Sequence, residues 1–235
     1  MAKKNKEISL SNLIKVKPIT EGQKSVFETW KQGKNQFLFG CAGTGKTFIS
    51  LYLAMQDVLD LKTKYDKVIL VRSLIPTREI GFLPGDEEDK AALYQVPYQN
   101  MVKFMFEQPN EQAFNMLYDR LKNQGSLYFL STSFLRGLTF DNSIIIVDEC
   151  QNLNFHELDT ITTRVGQDSK IVFCGDFSQT DLLKQNERNG LHDFLRILEE
   201  MQEFNCVEFN IGDIVRSGFV KNYLIQKTKL GMGME

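Results

Sequence analysis

Eight consecutive residues, Gly40-Cys41-Ala42-Gly43-Thr44-Gly45-Lys46-Thr47, satisfy the spacing GxxxxGK[ST]. Glycines at that spacing let the backbone turn tightly enough to aim successive N–H groups at phosphate oxygens. A helix opening at Lys46 adds partial positive charge. Lys46 is expected to reach the β- and γ-phosphates of a nucleotide, and the Thr47 hydroxyl to ligate Mg²⁺. A second group, Asp148-Glu149, ends the apolar run Ile144-Ile145-Ile146-Val147. Asp148 is expected to hold the metal through water, and Glu149 to polarise an attacking water. Taken alone, such a pair often only caps a helix; downstream of a phosphate loop it points to water as acceptor. Phosphoryl transfer to a substrate hydroxyl usually requires a substrate pocket and lid instead. A third string, Gly175-Asp176-Phe177-Ser178-Gln179, reads as an ordinary turn by itself. Its glutamine can donate and accept at once, so Gln179 could sense whether phosphate or water is present.

These groups need elements to carry them. Gln36 to Phe39 reads as a short buried strand directly before the phosphate loop, and apolar residues recur at helical intervals from Lys46 to about Asp60. Further strands are expected at 67–71, 126–130, 143–147, 170–174 and 206–209. Helical patterns fall at 22–33, 88–107, 110–123, 154–164, 188–203 and 212–228. Strands buried on both faces and interleaved with helices mean an α/β fold, an open parallel sheet with helices on both faces. Ligands in such folds bind beyond the carboxyl ends of the strands. In hydrolytic members of this fold, the strand 170–174 is expected between the loop strand and the acidic strand, which aims 175–179 at the γ-phosphate.

The chain has 235 residues, 25% charged and 42% hydrophobic, which suits one α/β domain and excludes disorder and disulfide scaffolds. No apolar run approaches the roughly 20 residues that span a bilayer, so no membrane is expected. Cys41, Cys150, Cys174 and Cys206 lack CxxC spacing and read as thiols of a soluble cytoplasmic protein. Residues 1–34 hold eight lysines against three glutamates, a local +5 within a net charge of −2. Residues 1–21 therefore read as a basic arm ahead of a single domain, 22–235, with 88–123 as a helical insertion. Such an arm could touch nucleic-acid phosphates or simply be solvated. The insertion is rich in aromatics, including Tyr94, Tyr98, Phe104, Phe106, Phe114 and Tyr118. These could form a subunit interface, a stacking platform for single-stranded bases, or plain core.

The strings AGTGKT, Arg72 with Gly81-Phe82-Leu83-Pro84-Gly85-Asp86, Leu135-Arg136-Gly137-Leu138-Thr139, Val147-Asp148-Glu149-Cys150-Gln151-Asn152, Thr163-Arg164-Val165-Gly166, Gly175-Asp176 and Asp213-Ile214-Val215-Arg216 together resemble the PhoH-like family of P-loop ATPases. The likeness runs from about Gln23 to residue 225. It implies a RecA-like core related to the first motor domain of superfamily 1 helicases, with ATP and Mg²⁺ as cofactors. By the same likeness Gln23 is similar to the glutamine that reads the adenine edge; otherwise it is a polar residue at a helix start. Gly40-Cys41 stands where the family usually has Gly-Pro, and the segment after Arg72 is shorter than usual. Compactness and divergence suggest a phage-encoded member.

One motor half implies partners. A helicase of that superfamily receives an arginine at the γ-phosphate from a second core domain, and such a residue is worth ~10³–10⁵ in rate. This chain is too short for a second core domain, so a neighbouring subunit is expected to supply the cation within a ring, most simply a hexamer. Arg216 is the first candidate, ahead of Arg164 and Arg136; alternatively Arg216 only pairs with Asp213. The expected activity is ATP hydrolysis coupled to RNA or single-stranded DNA. The alternative is a binding or assembly protein in which ATP switches a surface or an oligomer. A small-molecule kinase is disfavoured by Glu149.

Overall fold

A computed structural model describes residues 7–73, 87–132, 135, 137–177 and 190–229. Six strands form one parallel sheet: β1 (Asn35–Gly40), β2 (Lys67–Arg72), β3 (Leu127–Ser131), β4 (Ser143–Asp148), β5 (Lys170–Gly175) and β6 (Phe204–Phe209). Their spatial order is β3-β2-β4-β5-β1-β6. β5 therefore lies between the loop strand and the acidic strand, as the sequence predicts. Successive strands run toward one edge from β1 to β3 and back across from β4 to β5, a reversal that leaves a crevice at the carboxyl ends of β1, β4 and β5.

Side chains alternate across this sheet. Leu38, Val68, Leu70, Ile144, Ile146, Val172 and Val207 face a layer built by α1 (Glu21–Lys31), α2 (Lys46–Leu59), α3 (Glu87–Phe106) and α4 (Glu111–Asn123). Phe37, Phe39, Ile69, Val71, Ile145, Val147, Ile171 and Phe173 face α5 (Phe155–Thr162) and α6 (Leu191–Glu200). The two-residue period of the strands makes each β-branched run serve both layers at once. Each large apolar side chain so buried contributes about 1.5–3 kcal/mol. The last helix is α7 (Gly218–Lys229).

The aromatic-rich stretch between β2 and β3 is largely core. Tyr98, Met105, Phe106, Phe114 and Tyr118 are buried, whereas Phe104 and Met116 stand exposed. The basic amino-terminal stretch also meets the body: Ile8 and Leu13 join the α1–α4 layer, Ile14 N–H donates to the Met105 carbonyl, and Val16 N–H donates to the Tyr52 hydroxyl. The helix expected over 212–228 is broken. A single 3-10 turn at Ile211–Asp213 is followed by extended chain, and α7 starts only at Gly218. The break has a cause: Val215 N–H donates to the Gly43 carbonyl at 3.0 Å, and a helical donor there would have had its partner inside the helix.

Candidate active site

β1 delivers the chain to Gly40, where φ is +119° and the backbone presses on β6. A methyl group there would sit 2.0 Å from the Phe209 carbonyl oxygen, so only glycine passes. The next residue donates its N–H to that same Phe209 carbonyl at 2.8 Å. Proline at this position, having no N–H, could not make this bond. Gly43 is tied to Val215 as described, and the Thr44 carbonyl accepts from Gln23 Nε2 at 3.1 Å. The loop 40–47 is thus fixed from β6, from the segment before α7 and from α1. Gly45 ends it in the left-handed conformation, and α2 begins at Lys46 with no side-chain cap on its first N–H groups. α1, α4 and α5, by contrast, are capped by Thr20, Asn110 and Asn154. The uncapped donors of α2 are available to an anion.

Lys46 is 4% exposed. Its ammonium donates to the Cys41 carbonyl at 2.7 Å, to the Gly40 carbonyl and Thr44 Oγ1 at 3.3 Å, and pairs with Asp176 Oδ1 at 2.7 Å. An anion entering the loop would have to compete with the Asp176 carboxylate for this ammonium. Thr47 Oγ1 donates to Asp148 Oδ1 at 2.7 Å, joining the end of the loop to the end of β4. A hydroxyl and a carboxylate are the hard oxygen donors that Mg²⁺ takes, with phosphates and waters completing its octahedron. Among the described residues no group of three His, Cys, Asp or Glu could cage a metal unaided. The pair Thr47–Asp148 therefore fits a metal shared with a nucleotide.

Glu149 follows at φ +53°, a conformation costing on the order of 1–3 kcal/mol for a non-glycine residue. Its carboxylate is held by Gln151, whose Nε2 donates to Oε2 at 2.6 Å. The other end of Gln151 accepts from the Asp176 N–H, so one amide ties the ends of β4 and β5. Burial, then the neighbouring Asp148 and Asp176 charges, push the Glu149 carboxyl above its ordinary value. That is the direction a general base needs. Arg72, in register with Asp148 across β2 and β4, stands 4.0 Å from Glu149 Oε1 and over the Tyr94 ring. Tyr98 donates its phenol to Asp148 Oδ2 at 2.7 Å.

The structure brings together Gly40 to Thr47, Asp148, Glu149 and Asp176. Gln23 is buried behind the loop: its Nε2 holds Thr44 and its Oε1 accepts from Ile19 N–H, so its amide supports the loop from behind. Arg216 lies against its own chain's loop, for a methyl group on Gly43 would meet Arg216 Cγ at 2.9 Å. Asp213 does not place it there; its two oxygens accept from Gly22 N–H and Asn210 N–H. Arg164 sits at the amino-terminal ends of β4 and β5, away from the crevice, where its carbonyl accepts from Phe140 N–H and its side chain donates to the Leu138 carbonyl. Gln179, Arg136 and the string 81–86 lie outside the described residues. Cys41 is half-buried in the loop and Cys150 fully buried, and burial raises both thiols. Sequence reasoning gave no site role to Gln151, Tyr98 or the carboxylate of Asp176. Only the i, i+4 spacing of Tyr94 and Tyr98 hinted at a shared face.

A parallel sheet with an uncapped helix opening onto a glycine loop, and with a hydroxyl–carboxylate pair across the crevice, defines a P-loop nucleotide-binding core. More narrowly, the chain belongs to the PhoH-like protein family, whose model matches residues 15–226. It is 36% identical over 145 residues to Protein PhoH2 of Bacillus subtilis, covering 61% of this chain and 32% of that one. It is 33% identical to a PhoH-like protein of Synechocystis sp., covering 79% and 54%. With Protein PhoH of Escherichia coli the identity is 32%, covering 80% and 51%. The chain thus spans only a third to about half the length of these relatives. A looser likeness, at TM-score 0.46 and 14% identity, joins 88% of this chain to 49% of a large terminase from a thermophilic bacteriophage in complex with ADP. No helix among the described residues is long and apolar enough to cross a membrane.

Proposed function

We propose that this chain hydrolyses ATP with Mg²⁺ and couples the cycle to RNA or single-stranded DNA. The observation that carries the reading is the convergence of Lys46, Thr47, Asp148 and Glu149 at the carboxyl ends of β1 and β4, with Thr47 and Asp148 2.7 Å apart. Bound Mg²⁺ would neutralise charge on the β- and γ-phosphate oxygens. Lys46 exchanges Asp176 for phosphate oxygens, and the first N–H groups of α2 hold the β-phosphate. Glu149 accepts a proton from water as its oxygen attacks the γ-phosphorus; the bond to the β–γ bridging oxygen breaks, leaving ADP and phosphate.

Arg216, lying on its own loop, supports a cation acting from within the same chain. If so, inactive Lys46→Ala and Arg216→Ala proteins do not complement one another when mixed; restored ATPase would place the arginine in trans within the ring. The hexameric ring itself remains part of the proposal and is read from the particle mass in solution. Coupling to a polynucleotide is supported by α7, which starts two residues after Arg216 and exposes Phe219 (84%) and Tyr223 (60%) beside Lys227 and Lys229. Exposed aromatics among lysines suit base stacking and backbone contact. The test is ATPase with and without single-stranded RNA and DNA over a salt series. Stimulation that fades as salt rises is expected. Glu149→Gln should keep ATP bound while losing ~10²–10⁴ in turnover. Normal turnover by that variant would overturn the assignment.

A further inference from the structure

We infer that Tyr98 is a positioning residue of the metal site, holding Asp148 from α3 and thereby setting how tightly the site takes a divalent cation. The inference rests on Asp148 serving that cation, as proposed above. A phenol is more than this place in the core requires. The Tyr98 ring is 1% exposed and packs on Phe129 at 5.7 Å between centroids, a space phenylalanine would fill as well. The hydroxyl must then be paired, because burying it alone costs on the order of 1–3 kcal/mol. Its partner is Asp148 Oδ2 at 2.7 Å, with Arg72 also within hydrogen-bonding reach.

The consequence follows from counting lone pairs. Thr47 takes one on Asp148 Oδ1 and Tyr98 takes one on Oδ2, at 2.7 Å each. Two donors on opposite oxygens stop rotation of the carboxylate and leave the remaining lone pairs free for water bound to the metal. Asp148 is 8% exposed, so few waters could replace the phenol. Thr47 belongs to the phosphate loop, but Tyr98 belongs to α3, which also brings Tyr94 over Arg72 and Phe104 against Phe48, the residue after Thr47. α3 thus touches both residues expected to hold the metal, at one through a hydrogen bond and at the other through its sequence neighbour.

The test uses Mn²⁺ as a paramagnetic probe, titrated into the full chain with saturating ADP and followed by electron paramagnetic resonance. Tyr98→Phe should weaken Mn²⁺ binding 10-fold or more, the range for removing a hydrogen bond to a metal-site residue. ADP binding in EDTA should stay within twofold of wild type, a split that a merely structural role would not produce. Phe129→Leu loosens the same packing without touching the hydroxyl and should leave Mn²⁺ affinity within twofold. Mn²⁺ affinity unchanged in Tyr98→Phe, or weakened equally in Phe129→Leu, would overturn the assignment of Tyr98 while leaving the nucleotide reading intact. A wild-type protein that binds no Mn²⁺ with ADP would overturn the nucleotide reading, and this inference with it.

Discussion

The ion pair between Lys46 and Asp176 makes a testable demand on nucleotide affinity. Before a phosphate can take the ammonium, the carboxylate 2.7 Å away must give it up. Lys46 is buried but Asp176 is 41% exposed, so water discounts the pair well below its Coulomb energy. Its net worth is about 1 kcal/mol, the upper end for exposed pairs. Asp176→Asn should therefore tighten ATP binding about fivefold. The amide keeps shape and volume, and the Asp176 N–H bond to Gln151 is made by the backbone and persists. Isothermal titration of wild type and variant with a non-hydrolysable ATP analogue reads the difference directly. A cycle isolates the pair: in a Lys46→Ala background the same substitution should change affinity by less than twofold. Unchanged or weaker binding by Asp176→Asn would refute the competition, and so would equal tightening in both backgrounds.

Two further predictions concern other parts of the fold. Burial lowers the Lys170 ammonium, packed on the Trp30 ring at 4.1 Å, from its ordinary 10.5 to about 8. Between those values the unfolded chain binds more protons than the folded one, so this group's contribution to stability rises with pH. Measured by urea unfolding, the gap between wild type and Lys170→Met should move roughly 2–3 kcal/mol in favour of wild type from pH 7.5 to 10. The buried thiols titrate alike in both proteins and cancel, and a gap independent of pH would refute the account. Gly43→Ala places a methyl group at φ +76° and 2.9 Å from Arg216 Cγ, at a cost of about 1–2 kcal/mol. If the bound loop bears that cost, ATP binding should weaken roughly 5- to 30-fold, and Gly43→Ala with Arg216→Ala should recover part of that loss. A single variant that binds like wild type would show the loop to be more yielding than its ties imply.

What the sequence disclosed was contiguous. The loop 40–47 and the pair Asp148-Glu149 are strings whose chemistry follows from neighbours in the chain, and each strand before them is a local apolar run. The position of β5 between β4 and β1 was also expected, from the strand order common to hydrolytic members of this fold, and the sheet has that order. What the sequence concealed depends on register and approach. Tyr98 meets Asp148 from 50 residues away, and nothing in an aromatic-rich helix says which ring turns inward. Lys46 meets Asp176 only because β5 pairs with β1, Phe39 opposite Gly175. The left-handed turn at Glu149 leaves no mark in composition. The break at 214–217 was masked by a helical apolar pattern that a single backbone bond, Val215 to Gly43, overrides.

That bond and its neighbour at Cys41 carry a temporal implication. The strand leading into the loop leaves a ribosome well before both its partners, β5 and β6. Roughly 170 residues separate Gly40 from Phe209, which at about 5–20 residues per second is on the order of ten seconds or more of synthesis. Until then the loop lacks the carbonyl that anchors Cys41 and the N–H that anchors Gly43. A nascent chain is therefore expected to be blind to nucleotide until β6 and the segment that follows it have emerged, which ties ligand capture to the arrival of those later elements.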